Sequence, residues 1–231
     1  LRLGFGFNSY YEDIVTDSTA SSQQQKLKGS YFDNFVSLSL DYDKRNQKFQ
    51  TSQGFRNYFS TDLPIVSETN TLASTFITTN YYEYFNKYIL KSSFYFKNSN
   101  SITGENIKLS ERLSLPSNRL RGFERGKIGP KDGNDFIGGN YVASLNFSSD
   151  VPKLLENSQT TDLIIFLDIA NVWGVDYDSN LEKSDDIKSA VGIGLDWFTP
   201  VGPLNFTLSQ PLSKGSNDIT ESFRFNLGTT F

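Results

Sequence analysis

Ser222-Phe223-Arg224-Phe225-Asn226-Leu227-Gly228-Thr229-Thr230-Phe231 alternates without a break to the last residue of the chain. On an extended backbone Phe223, Phe225, Leu227, Thr229 and Phe231 share one face, and Ser222, Arg224, Asn226, Gly228 and Thr230 share the other. An aromatic-rich face opposite a small, polar one suits a strand with lipid on one side and water on the other. The same two-residue period returns where Val191, Ile193, Leu195 and Trp197 oppose Lys188, Ala190, Gly192, Gly194 and Asp196. It returns again where Val36, Leu38, Leu40 and Tyr42 oppose Ser37, Ser39, Asp41 and Asp43. Working outward, ten stretches read as strands, at 1–9, 31–43, 53–64, 71–83, 87–97, 137–149, 161–173, 187–198, 203–212 and 220–231, and none reads as an amphipathic helix.

The connections alternate in length: long near 10–30, short near 44–52, medium near 64–70, short near 84–86, very long at 98–136, then short, long, short and long. Short turns on one side and long loops on the other is the layout of an outer-membrane barrel. A soluble antiparallel sandwich also alternates, but it has no reason to sort its loops this way. The fold class expected is all-β, an antiparallel transmembrane β-barrel. The 98–136 connection exceeds the roughly 12 to 15 residues of an ordinary structureless loop, and such loops are usually functional or disordered. Arg119-Leu120-Arg121-Gly122-Phe123-Glu124 sets charge, a flexible glycine and a large ring side by side, as in a loop that packs into something.

Composition narrows the function. Phe 20, Tyr 12 and Trp 2 make the chain 15% aromatic, yet no run of about 18 apolar residues could form a membrane-spanning helix. Barrel strands of roughly 9 to 11 tilted residues barely register on such a scale. Cys 0 and His 0 remove thiol nucleophiles, zinc-thiolate sites and the commonest general base. No catalytic residue, metal or cofactor is expected, and the chain reads as a non-enzyme. A net charge of -4 with scattered basic residues offers no stripe for nucleic acid. The chain opens at Leu1 with neither an initiator Met nor a cleavable leader, which suggests a mature protein or an excised fragment.

Four stretches, in this order and spacing, resemble the BamA family of outer-membrane assembly factors. They are Leu120-Arg121-Gly122-Phe123-Glu124 followed by Ile137-Gly138-Gly139-Asn140-Tyr141; Phe166-Leu167-Asp168-Ile169-Ala170-Asn171-Val172-Trp173; Gly192 to Trp197 continuing through Thr199 to Leu204; and the closing stretch Ser222–Phe231. Asp43-Lys44-Arg45-Asn46 with Ser52-Gln53-Gly54-Phe55 is similar to a periplasmic turn of that barrel. The resemblance implies a sixteen-strand barrel preceded by POTRA domains. The ten strands would then be the seventh to sixteenth, with residues 98–136 as an inward-folding extracellular loop, and the POTRA domains and first strands would be missing from this chain.

It also implies a function and two sites. The loop tip Arg121, Gly122, Phe123 and Glu124 would dock on the inner wall, where Asp168 points inward by strand parity and can meet Arg121 in a forked ion pair. The family's assembly factors usually carry a glutamate on the strand after the loop; Asn146 stands there instead, able to accept a hydrogen bond but without charge, so the dock would rest on Asp168 alone. Otherwise Arg121 is an exposed loop cation and Asp168 an ordinary lumen carboxylate. The second site is the closing strand, Phe223, Phe225, Leu227, Gly228 and Phe231, which would form a lateral seam, Gly228 allowing a kink; any outer-membrane barrel would show the same apolar stripe. The function implied is insertion of β-barrel proteins through that seam. The partners would be unfolded outer-membrane clients, assembly-complex lipoproteins and outer-membrane lipid. The alternative is a two-partner-type secretion pore exporting unfolded polypeptide, and a passive porin would need no docked loop.

Overall fold

The computed structural model describes residues 1–231 apart from 49, 86–87, 152–160, 178–180, 182–185, 200–201 and 228–231. Ten strands form one antiparallel sheet: β1 (Arg2–Ile14), β2 (Gly29–Asp43), β3 (Gly54–Val66), β4 (Thr71–Tyr84), β5 (Tyr88–Ser101), β8 (Tyr141–Asp150), β9 (Thr161–Trp173), β10 (Lys188–Thr199), β11 (Gly202–Ser213) and β12 (Phe223–Leu227). Each pairs with its neighbours in chain order. β1 and β12 have one neighbour each among the described residues, so the sheet is an open, partial barrel. All ten sequence-based strands exist.

The faces are inverted relative to a water-soluble sheet. Phe5, Phe7, Leu38, Leu40, Phe59, Ile165, Val191, Ile193, Leu208, Phe223, Phe225 and Leu227 are exposed, while Ser93, Ser144, Asp168, Lys188 and Thr207 are buried. An apolar band of that extent is tolerable only against lipid.

What buries the polar face is the 102–140 connection. It contains one 3-10 turn at Leu109–Glu111 and a two-stranded hairpin of β6 (Lys131–Asp132) and β7 (Asp135–Phe136). Its Leu113, Leu115, Leu120, Phe123 and Ile128 pack on Tyr95, Val142, Ala170, Val172 and Ala190 of the inner wall, giving the molecule its one apolar cluster among the described residues. The boundaries differ from expectation at both ends. β5 runs on to Ser101, and Ile137–Asn140 belong to the loop because Gly139 pairs with Leu113 in both directions, at 2.8 and 2.9 Å. A Cβ on Gly139 would lie 2.5 Å from the Trp173 carbonyl oxygen, so only glycine fits this crossing.

Two other departures have local causes. β1 continues to Ile14, because its whole length pairs with β2 from Arg2↔Asp41 to Ile14↔Gly29. The connection after it includes a five-residue helix, Ser22–Lys26, capped by Ser21. On the opposite side of the sheet the expected turn forms: Lys44 N–H donates to Phe55 at 2.8 Å, Asn46 N–H donates to Gln53 at 3.0 Å, and Arg45 forks onto Asp43 at 2.9 and 2.7 Å.

Candidate functional site

The inner wall presents a seat for the loop tip. Register sets Asn146 of β8 opposite Asp168 of β9, and Asp168 opposite Ala190 of β10. One step along, Ser148, Phe166 and Gly192 line up across the same strands. Residues of like parity point inward together, so these six form a two-row patch.

Arg121 fills it. Its Nε donates to Asp168 Oδ2 at 2.7 Å, its terminal nitrogen to Oδ1 at 2.8 Å, and its backbone N–H to Oδ2 at 3.0 Å. The guanidinium lies 3.4 Å from the centroid of the Phe166 ring. Asp168 is wholly buried, and Arg121 keeps a small part of its side chain open to the lumen. A planar guanidinium suits both demands at once, a carboxylate in its plane and a ring under its face.

Asn146 accepts one hydrogen bond and donates two. Its Nδ2 donates to Asp168 Oδ1 at 2.8 Å and to the Arg119 carbonyl at 2.7 Å, while Ser144 donates to its Oδ1 at 2.9 Å. Asp168 therefore collects four hydrogen bonds, and the Asn146 amide joins it to the Arg119 carbonyl. With a carboxylate and a carbonyl facing it, a donor is what this position needs, and an amide supplies it without a second buried negative charge.

Gly122 and Phe123 follow into the wall. Gly122 has φ +90, and a Cβ there would sit 3.0 Å from that of Ala190. Phe123 is buried. Glu124 contributes through its backbone: its side chain is exposed, while its N–H donates to the Ile219 carbonyl at 2.9 Å. Glu221 N–H returns the pairing to Gly122 at 3.0 Å. Arg224 of β12 reaches inward to the Phe123 carbonyl at 2.5 Å and the Ser117 carbonyl at 2.7 Å. Phe223, Phe225 and Leu227 are exposed on the outer face, and among the described residues the ladder from β11 to β12 runs from Leu204↔Leu227 to Leu208↔Phe223. Gly228 and Phe231 lie outside the described residues.

Farther out, the same loop is pinned at two more places. Lys108, wholly buried, is paired with Asp33 and with Glu12 at 2.5 Å, between the rings of Tyr31 and Tyr10. Arg112 is paired with Asp176, donates to Asn140 at 3.0 Å and lies over Tyr177. Burial opposes the charge on Lys108, but hydrogen bonds to Asp33 and Glu12 outweigh it and hold the ammonium above the ordinary lysine range. A raised lysine pKa contributes stability at every pH below the ordinary value and loses it only as pH rises through the raised one. Hydrogen exchange at Lys108 and Glu111 should therefore show constant protection from about pH 6 to pH 10, after correction for intrinsic rates. Loss of protection inside that window would contradict the pairing. Lys108, Arg112, Phe166, Gly192 and Arg224 escape the sequence reading, although the parity that placed Asp168 inward also placed Phe166.

Comparison with known proteins fits this geometry. The Omp85 superfamily domain matches residues 1–231. This chain belongs to the Omp85 superfamily. Among curated relatives it is 25% identical to the outer membrane protein assembly factor BamA of Neorickettsia risticii, over the whole of this chain and 32% of that protein. It is 28% identical to BamA of Neisseria meningitidis over 48% of this chain and 17% of that one, and 33% identical to a SAM50-like protein of Schizosaccharomyces pombe over 57% and 29%. The crystal structure of BamA from Haemophilus ducreyi lacking POTRA domains 1–3 superposes with a TM-score of 0.83 at 21% identity, covering 96% of this chain and 49% of that one. The chain spans about a third or less of the length of these curated relatives. This Omp85 chain is thus a BamA-type barrel portion of the bacterial outer membrane.

Proposed function

We propose that the complete protein assembles β-barrel proteins into the outer membrane, and that this chain supplies the last ten strands of its barrel. The observation that carries this reading is the loop tip seated on buried Asp168, since a passive pore has no use for a plug fixed by an ion pair at its wall. A strand edge in lipid leaves backbone donors and acceptors unpaired, and an unfolded client strand satisfies them by β-augmentation. No bond is made or broken; the work is lowering the barrier to strand pairing at the seam formed by Phe223, Phe225, Leu227, Gly228 and Phe231. The partners of the complete protein are unfolded outer-membrane clients, assembly-complex lipoproteins and outer-membrane lipid.

Depletion of the complete protein in its host tests this. The expected result is a broad fall in folded outer-membrane barrels, read as loss of heat-shifted bands on gels. A normal barrel profile with a single exported polypeptide trapped in the periplasm would replace this reading with a secretion pore.

A further inference from the structure

The closing hairpin is divided between two partners. β11 runs to Ser213, but its ladder with β12 ends at Leu208↔Phe223, with a last bond from Ser209 N–H to the Ser222 carbonyl at 2.9 Å. The preceding residues turn inward to the loop tip instead. Phe123 bridges Thr220, Glu124 N–H donates to Ile219, Glu221 N–H to Gly122, and Ile219 N–H to Lys127 at 3.1 Å. Ile219, through its N–H and carbonyl, and Glu221, through its N–H, thus use on the plug backbone groups that an uninterrupted hairpin would offer to β11, while the Glu221 carbonyl still accepts from the Ser209 hydroxyl of β11 at 3.3 Å.

Arg224 stands where the two pairings meet. It is the first inward residue of β12, its partner across the ladder is Thr207, and its guanidinium spans two loop carbonyls, Ser117 and Phe123, on either side of the Arg121 seat. Glu221 at 2.9 Å keeps its Nε occupied and fixes the fork. Five donors in one rigid plane allow a single side chain to hold a carboxylate and two carbonyls together.

We infer that Arg224 is a positioning residue that ties the closing strand to the docked loop tip, so that the state of the Arg121 and Asp168 seat is transmitted to β12. The inference rests on the assembly reading for its purpose, because only a seam that engages clients gains from being told whether the plug is seated. The coupling itself is a property of the barrel and is measured without any client. When the seat loosens, the bonds at Ser117 and Phe123 loosen with it, and residues 217–226 lose their inner partner; when the seat holds, β12 is held.

Hydrogen exchange on the complete protein in lipid nanodiscs tests it, with Asp168→Asn to loosen the seat and Arg224→Gln to cut the tie. In the parent protein Asp168→Asn should speed exchange in both 119–127 and 217–226, by roughly tenfold for opening events of this local kind. In the Arg224→Gln background Asp168→Asn should still speed 119–127 and 219–221, whose backbone bonds to the loop do not pass through Arg224, but should leave 223–226 unchanged. If Arg224 merely stabilised the last strand, the two substitutions would act independently on 223–226, and that additive result overturns the inference. Should Arg224→Gln fail to fold, the parent and Asp168→Asn decide between them, since an unchanged 223–226 overturns it equally. Arg224→Lys, which keeps the charge but cannot fork across two carbonyls, should behave like Arg224→Gln; full coupling in it would also overturn the role. Coupling without client assembly would sink the proposed function and leave this inference standing, and assembly without coupling would do the opposite.

Discussion

Arg121→Ala in the complete protein should destabilise the docked loop by about 3 kcal/mol, at the low end of the cost of stranding one member of a buried ion pair. Asp168 is wholly buried, so its charge cannot turn to bulk water when the guanidinium goes. Two neutral donors remain, the residue-121 N–H and Asn146 Nδ2, which keeps the loss from being larger. Asp168→Asn should cost less, about 1 to 3 kcal/mol, because Arg121 is partly open to the lumen and water can solvate it. The order has a consequence that a simple loss of contacts would not produce. Adding Asp168→Asn to Arg121→Ala removes the stranded charge and should recover part of the stability. The temperature at which the folded band disappears from a gel, taken for the four proteins, checks this; equal losses with no recovery would mean that the carboxylate is not buried against the arginine.

Gly192→Ala should be nearly as damaging although it touches no charge. A Cβ there would lie 2.2 Å from the Leu208 carbonyl oxygen and 2.5 Å from Phe166 Cζ. The carbonyl belongs to the β10 to β11 ladder and cannot swing aside, and the ring is the surface on which Arg121 rests. The expected cost is about 1 to 3 kcal/mol from overpacking, together with a loss of protection at Arg121. Gly194→Ala is the internal comparison: its Cβ would meet Ile164 Cγ1 at 2.8 Å, a side chain able to change rotamer, and its nearest backbone atom is 3.8 Å away. Denaturation of the two variants should therefore rank Gly192→Ala well below Gly194→Ala. The reverse order would show that Phe166 does not lie over Gly192.

Parity explains how much of this was legible in residue order. Lipid demands an apolar residue at every second position, so Leu163, Ile165, Leu167 and Ile169 declare the outer face and thereby assign Phe166 and Asp168 to the lumen. Arg121, Gly122 and Phe123 were legible as a packed tip because a φ-permissive glycine between a cation and a ring has few other uses. The loop's outer pins were not. Lys108 and Arg112 sit in a polar run with no periodicity, and their partners Asp33 and Asp176 stand 75 and 64 positions away, distances at which no local pattern operates. Arg224 reads correctly as an inward residue of the last strand, but lumen-facing polar residues are common, and nothing local says that this one reaches Ser117 and Phe123. The donor side of Asn146 was not legible for a related reason. Its role depends on the Arg119 carbonyl, a backbone atom that any sequence would supply once the loop is folded in. The start of the last strand was misplaced for the same cause, since 219–221 pair with the loop and not with β11.

In the function proposed, the seated loop belongs to a machine that folds other barrels. The most direct measurement is the initial rate at which the complete protein, reconstituted in liposomes, folds an unfolded client barrel, compared between the parent and Arg121→Ala at a temperature where both remain folded. A fall of about tenfold or more, equivalent to about 1.4 kcal/mol of barrier, with partial recovery in Arg121→Ala, Asp168→Asn, is the result predicted. Parent-like folding rates in an intact Arg121→Ala barrel, or no acceleration by the parent protein over bare liposomes, would contradict it.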